Sequence, residues 1–166
     1  VENESFTALF KKFKVHKFML IFMIWKLQKA LGKKVTTFDL FPGIKTMLHE
    51  LFRDHELHIL TANSKSNVEK FLKKHELKKY FTKITSRANP FDKSHAIKTH
   101  LKKNKLKQSQ TVYIGDELSD LKACNKINQK IISVTWGFNK IKLIETGNPK
   151  YIAKTPQQIV ELIQYM

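Results

Sequence analysis

The residues best placed to do chemistry are Asp116, Glu117 and Asp120, in Thr111-Val112-Tyr113-Ile114-Gly115-Asp116-Glu117-Leu118-Ser119-Asp120. A β-branched and aromatic run that stops at a glycine reads as a buried parallel strand, so the acids lie in the crevice beyond its carboxyl end. Open α/β sheets bind ligands there. Clustered carboxylates are hard oxygen ligands suited to Mg²⁺, which grips substrate phosphate while keeping several waters. The chemistry indicated is metal-assisted phosphoryl transfer. Gly-Asp-x-x-x-Asp also occurs where an aspartate simply caps the next helix, and this segment alone leaves the two readings open.

Two further elements place groups at comparable ends. Glu56 to Leu60 is a short apolar strand ending in Thr61-Ala62-Asn63-Ser64, ahead of a helix with Val68, Phe71 and Leu72 on its inner face. A hydroxyl and free backbone N–H groups at a helix start suit an anion. Asn89-Pro90-Phe91-Asp92-Lys93 then breaks the chain before a helix carrying Ala96, Ile97 and Leu101. Lys93 thus stands at a helix entrance, where it can neutralise a phosphate.

The ordered set of Thr61, then Lys93, then Gly115-Asp116-Glu117-Leu118-Ser119-Asp120 resembles the haloacid dehalogenase (HAD) superfamily, in particular its phosphoglycolate-phosphatase-like branch. Phe41-Pro42-Gly43-Ile44-Lys45-Thr46-Met47-Leu48, the Tyr80-Phe81 pair, Val134-Thr135-Trp136-Gly137-Phe138 and Asn148-Pro149-Lys150-Tyr151-Ile152 look like that branch too. The resemblance runs over roughly residues 40 to 166. It implies a three-layer Rossmann-like α/β core with a mainly parallel sheet, and a Mg²⁺-dependent phosphatase acting on a small phosphorylated metabolite through an aspartyl-phosphate. It makes Thr61 the phosphate-binding hydroxyl, with Ala62 and Asn63 beside it. Lys93 becomes the lysine that balances charge on nucleophile and phosphate. Asp116 becomes the Mg²⁺ ligand, Asp120 the second acid and Glu117 a supporting carboxylate. Asp92 stands where relatives often have glycine, and Ala62 where they often have asparagine or serine.

One family feature is missing from the sequence. HAD phosphatases attack phosphorus with the first aspartate of an Asp-x-Asp motif, and no Asp-x-Asp occurs in these 166 residues. Asp39, in Thr37-Phe38-Asp39-Leu40-Phe41, is a weak substitute that follows no long apolar strand. Residues 1–38, with helix-like patches at Phe6 to Phe13 and His16 to Leu31, read as the later part of a helical cap, and residues 39–166 as the core domain. The expectation is that about 40 residues carrying the first strand and nucleophile belong upstream, and that this segment or a homo-oligomer completes the fold. The rival from another class is a pseudoenzyme or basic polyanion-binding module that keeps the fold without the nucleophile. The DNA before the Val1 codon discriminates between them.

Composition bounds the remainder. A hydrophobic fraction of 42% is ordinary for a globular chain. The apolar run Phe18 to Trp25 is too short to span a bilayer and has no following cleavage site. The lone Cys124 makes no internal disulfide and suits a reducing cytoplasm. The net charge of +17 invites nucleic acid. Against that, Arg53 and Arg87 are the only arginines, lysines are spread over most helices, and no nucleic-acid recognition pattern appears, so no specific nucleic acid is expected. His16, His49, His55, His58, His75, His95 and His100 show no zinc-type spacing and read as surface or core residues. Trp136 and Phe138 fit core packing better than a pocket rim.

Overall fold

In the computed structural model, the structure describes residues 34–86, 92–137, 139 and 141–166, together with Lys29 and Gly32. The cap patches before residue 29, the Phe18 to Trp25 run, the break at 89–91 and Phe138 lie outside the described residues. Strands and helices alternate. α1 (Ile44–Asp54) precedes β1 (Leu57–Thr61), and α2 (Lys65–Lys74) precedes β2 (Phe81–Ser86). α3 (Lys93–Lys103), β3 (Tyr113–Gly115), α4 (Leu118–Lys126) and β4 (Ile131–Val134) follow. α5 (Ile141–Glu145), β5 (Ile152–Ala153) and α6 (Pro156–Gln164) complete the chain. Local chemistry sets several helix starts: Ser64, Asp92 and Thr155 each accept a backbone N–H of the first turn, and Pro156 opens α6 with its φ already suited to a helix.

Every strand pair is parallel, as alternation with helices requires. β1 and β3 fall where the apolar runs predict, but the five strands form two sheets rather than the one expected. β1 pairs with β2, and β3-β4-β5 forms the second sheet. The physical reason is a cleft between β1 and β3, whose facing edges pair with no strand among the described residues.

Helices cover both faces, giving three layers. Alternate residues of a strand point to opposite faces. Ile132 and Val134 of β4 join Met47, Leu51, Leu72 and Ile159 in one core, beneath α1, α2 and α6. Ile131 turns the other way, toward Ile97, Leu101, Leu121 and Cys124 on α3 and α4. β4, paired on both sides, is buried at all four positions, whereas β1, paired on one side, is half-buried throughout.

Candidate active site

The carboxyl ends of β1 and β3 open on one cavity of about 250 Å³. Its walls include Thr61, Ala62 and Asn63 after β1, Lys93 at the start of α3, and Asp116, Glu117 and Asp120 after β3. All the residues that sequence reasoning nominated for the site therefore line a single crevice. Leu60, Ile97 and Tyr113 supply its apolar floor.

The acidic side is built around Asp120, which is only 4% exposed. Lys93 Nζ donates to Asp120 Oδ1 at 2.6 Å and lies 3.1 Å from Glu117 Oε2. The Tyr113 hydroxyl donates to the same Asp120 oxygen at 3.3 Å, and the Glu117 backbone N–H to Asp120 Oδ2 at 3.2 Å. Glu117 and Asp120 also form a reciprocal capping box for α4, with Glu117 at the N-cap and Asp120 at the third helical position. Burial pushes the Asp120 carboxyl above the usual aspartate range; Lys93 opposes the shift, while Glu117 and Asp116 add to it.

Asp116, Glu117 and Asp120 each offer a carboxylate oxygen, all within 4.8 Å of one another. Three hard oxygens that close suit a single Mg²⁺ completed by water or substrate oxygens. The loop after β4 backs this cluster. The Asn139 backbone N–H donates to the Asp116 carbonyl at 3.2 Å, and Asn139 Oδ1 accepts from the Leu118 N–H at 2.8 Å. Gly137 passes so close that a Cβ there would overlap the Asp116 side chain. A glycine is needed at 137 for that contact. Gly115 is similarly confined, since a Cβ would lie 2.7 Å from Asp120 Cβ.

The β1 side is a turn held by its own side chains. Thr61 Oγ1 accepts from the Asn63 N–H at 3.0 Å, and Asn63 Oδ1 accepts from the Ser64 N–H at 2.8 Å and the buried Asn67 side chain at 3.0 Å. Asn63 is thus fixed at the cavity wall beside the exposed Ala62. Asp92 ties down the start of α3, accepting from the His95 N–H and the Ser94 hydroxyl at 3.0 Å each, which holds its carboxyl below the usual range.

Other candidates fall elsewhere. Asp39 has a side chain 91% exposed and paired with Lys74 at 3.5 Å, and it does not line the cavity. Trp136 stacks on Phe41 with centroids 5.3 Å apart and packs against the first core. Cys124 is fully buried, its thiol pushed up to about 12 by desolvation. Sequence reasoning missed the pairing of His58 and His100. His58 Nδ1 and His100 Nε2 share a 2.8 Å hydrogen bond, with Glu56 on the far nitrogen of His58 and Thr85 on that of His100.

A parallel α/β domain that gathers a threonine, a lysine and an acidic cluster at the carboxyl ends of its strands offers groups chemically suited to a phosphate and a divalent cation. The chain is a member of the haloacid dehalogenase-like hydrolase family, whose model matches residues 2–134. It is similar to a phosphoglycolate phosphatase of Synechococcus elongatus, 27% identical over 142 residues that cover 85% of this chain and 67% of that protein. Among solved structures, a haloacid dehalogenase-like hydrolase from Streptococcus pneumoniae superposes with a TM-score of 0.72 at 27% identity, over 80% of this chain and 63% of that one. A predicted phosphatase from Clostridium acetobutylicum shares the fold with a TM-score of 0.78 at 21% identity, over 96% and 76% of the two chains. The chain thus spans about two thirds of the first two relatives.

Proposed function

We propose that these residues form the phosphate- and Mg²⁺-binding part of a cytoplasmic phosphatase that hydrolyses a small phosphomonoester through an aspartyl-phosphate. The observation that carries this reading is the convergence of Thr61, Lys93, Asp116 and Asp120 on one cavity at two strand ends. Asp116 and Asp120, with Glu117 beside them, would hold Mg²⁺, which when bound neutralises charge on the phosphoryl oxygens. Thr61 and the N–H groups of its turn bind the phosphate, and Lys93 stabilises the negative charge that develops as phosphorus is transferred. The nucleophile is a carboxylate from outside these 166 residues. Its oxygen bonds to phosphorus as the ester oxygen departs with a proton, and water then cleaves the acyl phosphate to release inorganic phosphate.

The test compares the 166-residue chain with the same chain carrying an added N-terminal apolar strand that ends in Asp-x-Asp. Substrates are p-nitrophenyl phosphate and 2-phosphoglycolate, with and without Mg²⁺. Turnover is expected only in the extended protein with Mg²⁺, and Asp116→Asn there should abolish it. Metal-dependent turnover by the 166 residues alone would overturn the external nucleophile. Inactivity of a correctly folded extended protein would favour the second reading, a non-catalytic or polyanion-binding module. That reading draws on the absent Asp-x-Asp and the net charge of +17.

A further inference from the structure

Three elements meet at a pair of histidines that the Asp116 cavity does not use. His58 is the second residue of β1, and His100 lies in the last turn of α3. His58 stands three residues before Thr61, about 10 Å back along the strand from the cavity wall. His58 Nδ1 and His100 Nε2 are 2.8 Å apart. An oxygen meets each outer nitrogen: Glu56 Oε1 lies 2.8 Å from His58 Nε2, and Thr85 Oγ1 on β2 lies 3.0 Å from His100 Nδ1. Both rings are well covered, with the His58 side chain 12% exposed and His100 7%.

The partners assign the protons. A carboxylate only accepts, so His58 Nε2 carries hydrogen toward Glu56 and Nδ1 presents a lone pair. His100 Nε2 then donates to that lone pair, and the Thr85 hydroxyl donates to His100 Nδ1. A single proton thus lies between two inward-facing nitrogens. Moving it to His100 Nδ1 frees both inner lone pairs for a cation, and no proton leaves the network. Thr85 Oγ1 then accepts, as a hydroxyl can. Asn104 Nδ2, 3.4 Å from His100 Nδ1, keeps its bond to the His100 carbonyl at 2.8 Å. In this form each imidazole donates its outer N–H to an oxygen, the arrangement that orients metal-binding histidines.

We propose that His58 and His100 form a binding site for Zn²⁺, held between His58 Nδ1 and His100 Nε2, with Glu56 and Thr85 orienting the rings and water completing the coordination. Imidazole nitrogen suits Zn²⁺, whereas Mg²⁺ prefers oxygen, so the acidic cluster and the histidine pair select different ions. Two Zn–N bonds of about 2.0–2.1 Å at a tetrahedral angle set their nitrogens about 3.3 Å apart, so the rings separate by about half an ångström. Both rings line the cleft of about 740 Å³ between β1 and β3, which has room for that shift and for the waters. Lys83 places positive charge near His100, and Glu56 beside His58 offsets it. The ion ties β1 to the carboxyl end of α3. The site does not depend on the phosphatase reading.

The test titrates Zn²⁺ into the 166-residue chain by calorimetry, in excess Mg²⁺ that competes for the carboxylates. Two nitrogen ligands supply roughly half the binding free energy of a four-ligand zinc site, so one-to-one binding with a Kd on the order of 10 µM is expected. His58→Gln and His100→Gln should each weaken it roughly tenfold or more, since each removes a ligand. His95→Gln, at an exposed position of the same helix, should leave it unchanged. Ring-nitrogen NMR of the unaltered chain gives a readout that does not rely on the variants folding. There, Zn²⁺ should shift the His58 Nδ1 and His100 Nε2 resonances and leave those of the other histidines in place. The proposal is overturned by no binding at millimolar Zn²⁺, by a folded His58→Gln or His100→Gln chain that binds as tightly as the parent, or by shifts confined to other histidines.

Discussion

Replacing Lys93 by methionine tests the electrostatic design of the cavity while keeping most of the side chain's bulk. The lysine ammonium is the cation that faces the buried Asp120 at 2.6 Å. Deleting one partner of a buried ion pair costs about 3–5 kcal/mol, because the survivor keeps its desolvation penalty. Two features reduce that figure. Lys93 is 21% exposed, and Tyr113 and the Glu117 amide still serve Asp120 after the lysine is gone. A loss of about 2–3 kcal/mol is therefore expected, equivalent to a fall in Tm of about 4–12 °C at this chain length. Urea unfolding of Lys93→Met, Asp120→Asn and the double variant measures it, and the pair should show a coupling of about 1–3 kcal/mol. Lys65→Met is the control. Its partner Glu69 lies 3.9 Å away with both groups well exposed, so the change should stay within about 0.5 kcal/mol. If Lys93→Met costs no more than Lys65→Met, or if the coupling vanishes, the lysine is not neutralising the acidic cluster and the account of the cavity fails.

Three further outcomes follow from the same geometry. Asp116→Asn should weaken Mg²⁺ binding roughly tenfold or more, measured by calorimetry, while the half-buried position leaves stability within about 1 kcal/mol. Gly137→Ala should cost about 1–3 kcal/mol and displace Asp116, seen as a parallel loss of Mg²⁺ affinity, because the new methyl overlaps that side chain. His100 is buried, with His58 and Lys83 adding like charge and Glu56 reaching it only through His58, so its pKa lies below the ordinary 6.5. The neutral ring is the folded form, so the unfolded chain takes up a proton first as pH falls. Stability should decline as pH drops below 6.5 toward the folded value, and His100→Gln should flatten that part of the urea-midpoint profile.

Much of this was legible because it is local. A β-branched run predicts a strand, Ser64 or Thr155 predicts a cap, and Gly115-Asp116 predicts an acidic loop, each within a few residues of chain. The meeting of Thr61, Lys93 and Asp116 could also be anticipated, since every parallel strand points its carboxyl end the same way. The unread features depend on groups distant in sequence. His58 and His100 are 42 positions apart, and neither belongs to a motif. Gly137 looks like a loop glycine until the chain passes over Asp116. Asp120 caps α4 and also binds Lys93, 27 positions away, a pairing that no local motif announces. The division into two sheets was invisible for the same reason: apolarity shows that β1 and β3 are strands, not which edges meet.

That division matters to the chemistry. The turn after β1 and the acidic cluster after β3 stand on opposite sides of the cleft, and Lys93 ion-pairs with Glu117 and Asp120 on the acidic side. On the proposed function, a group that acts on a phosphate at Thr61 while facing a cation at Asp116 has to emerge between them. A loop could bring it there, but the precision that nucleophilic attack demands favours a rigid element whose backbone is fixed on both sides.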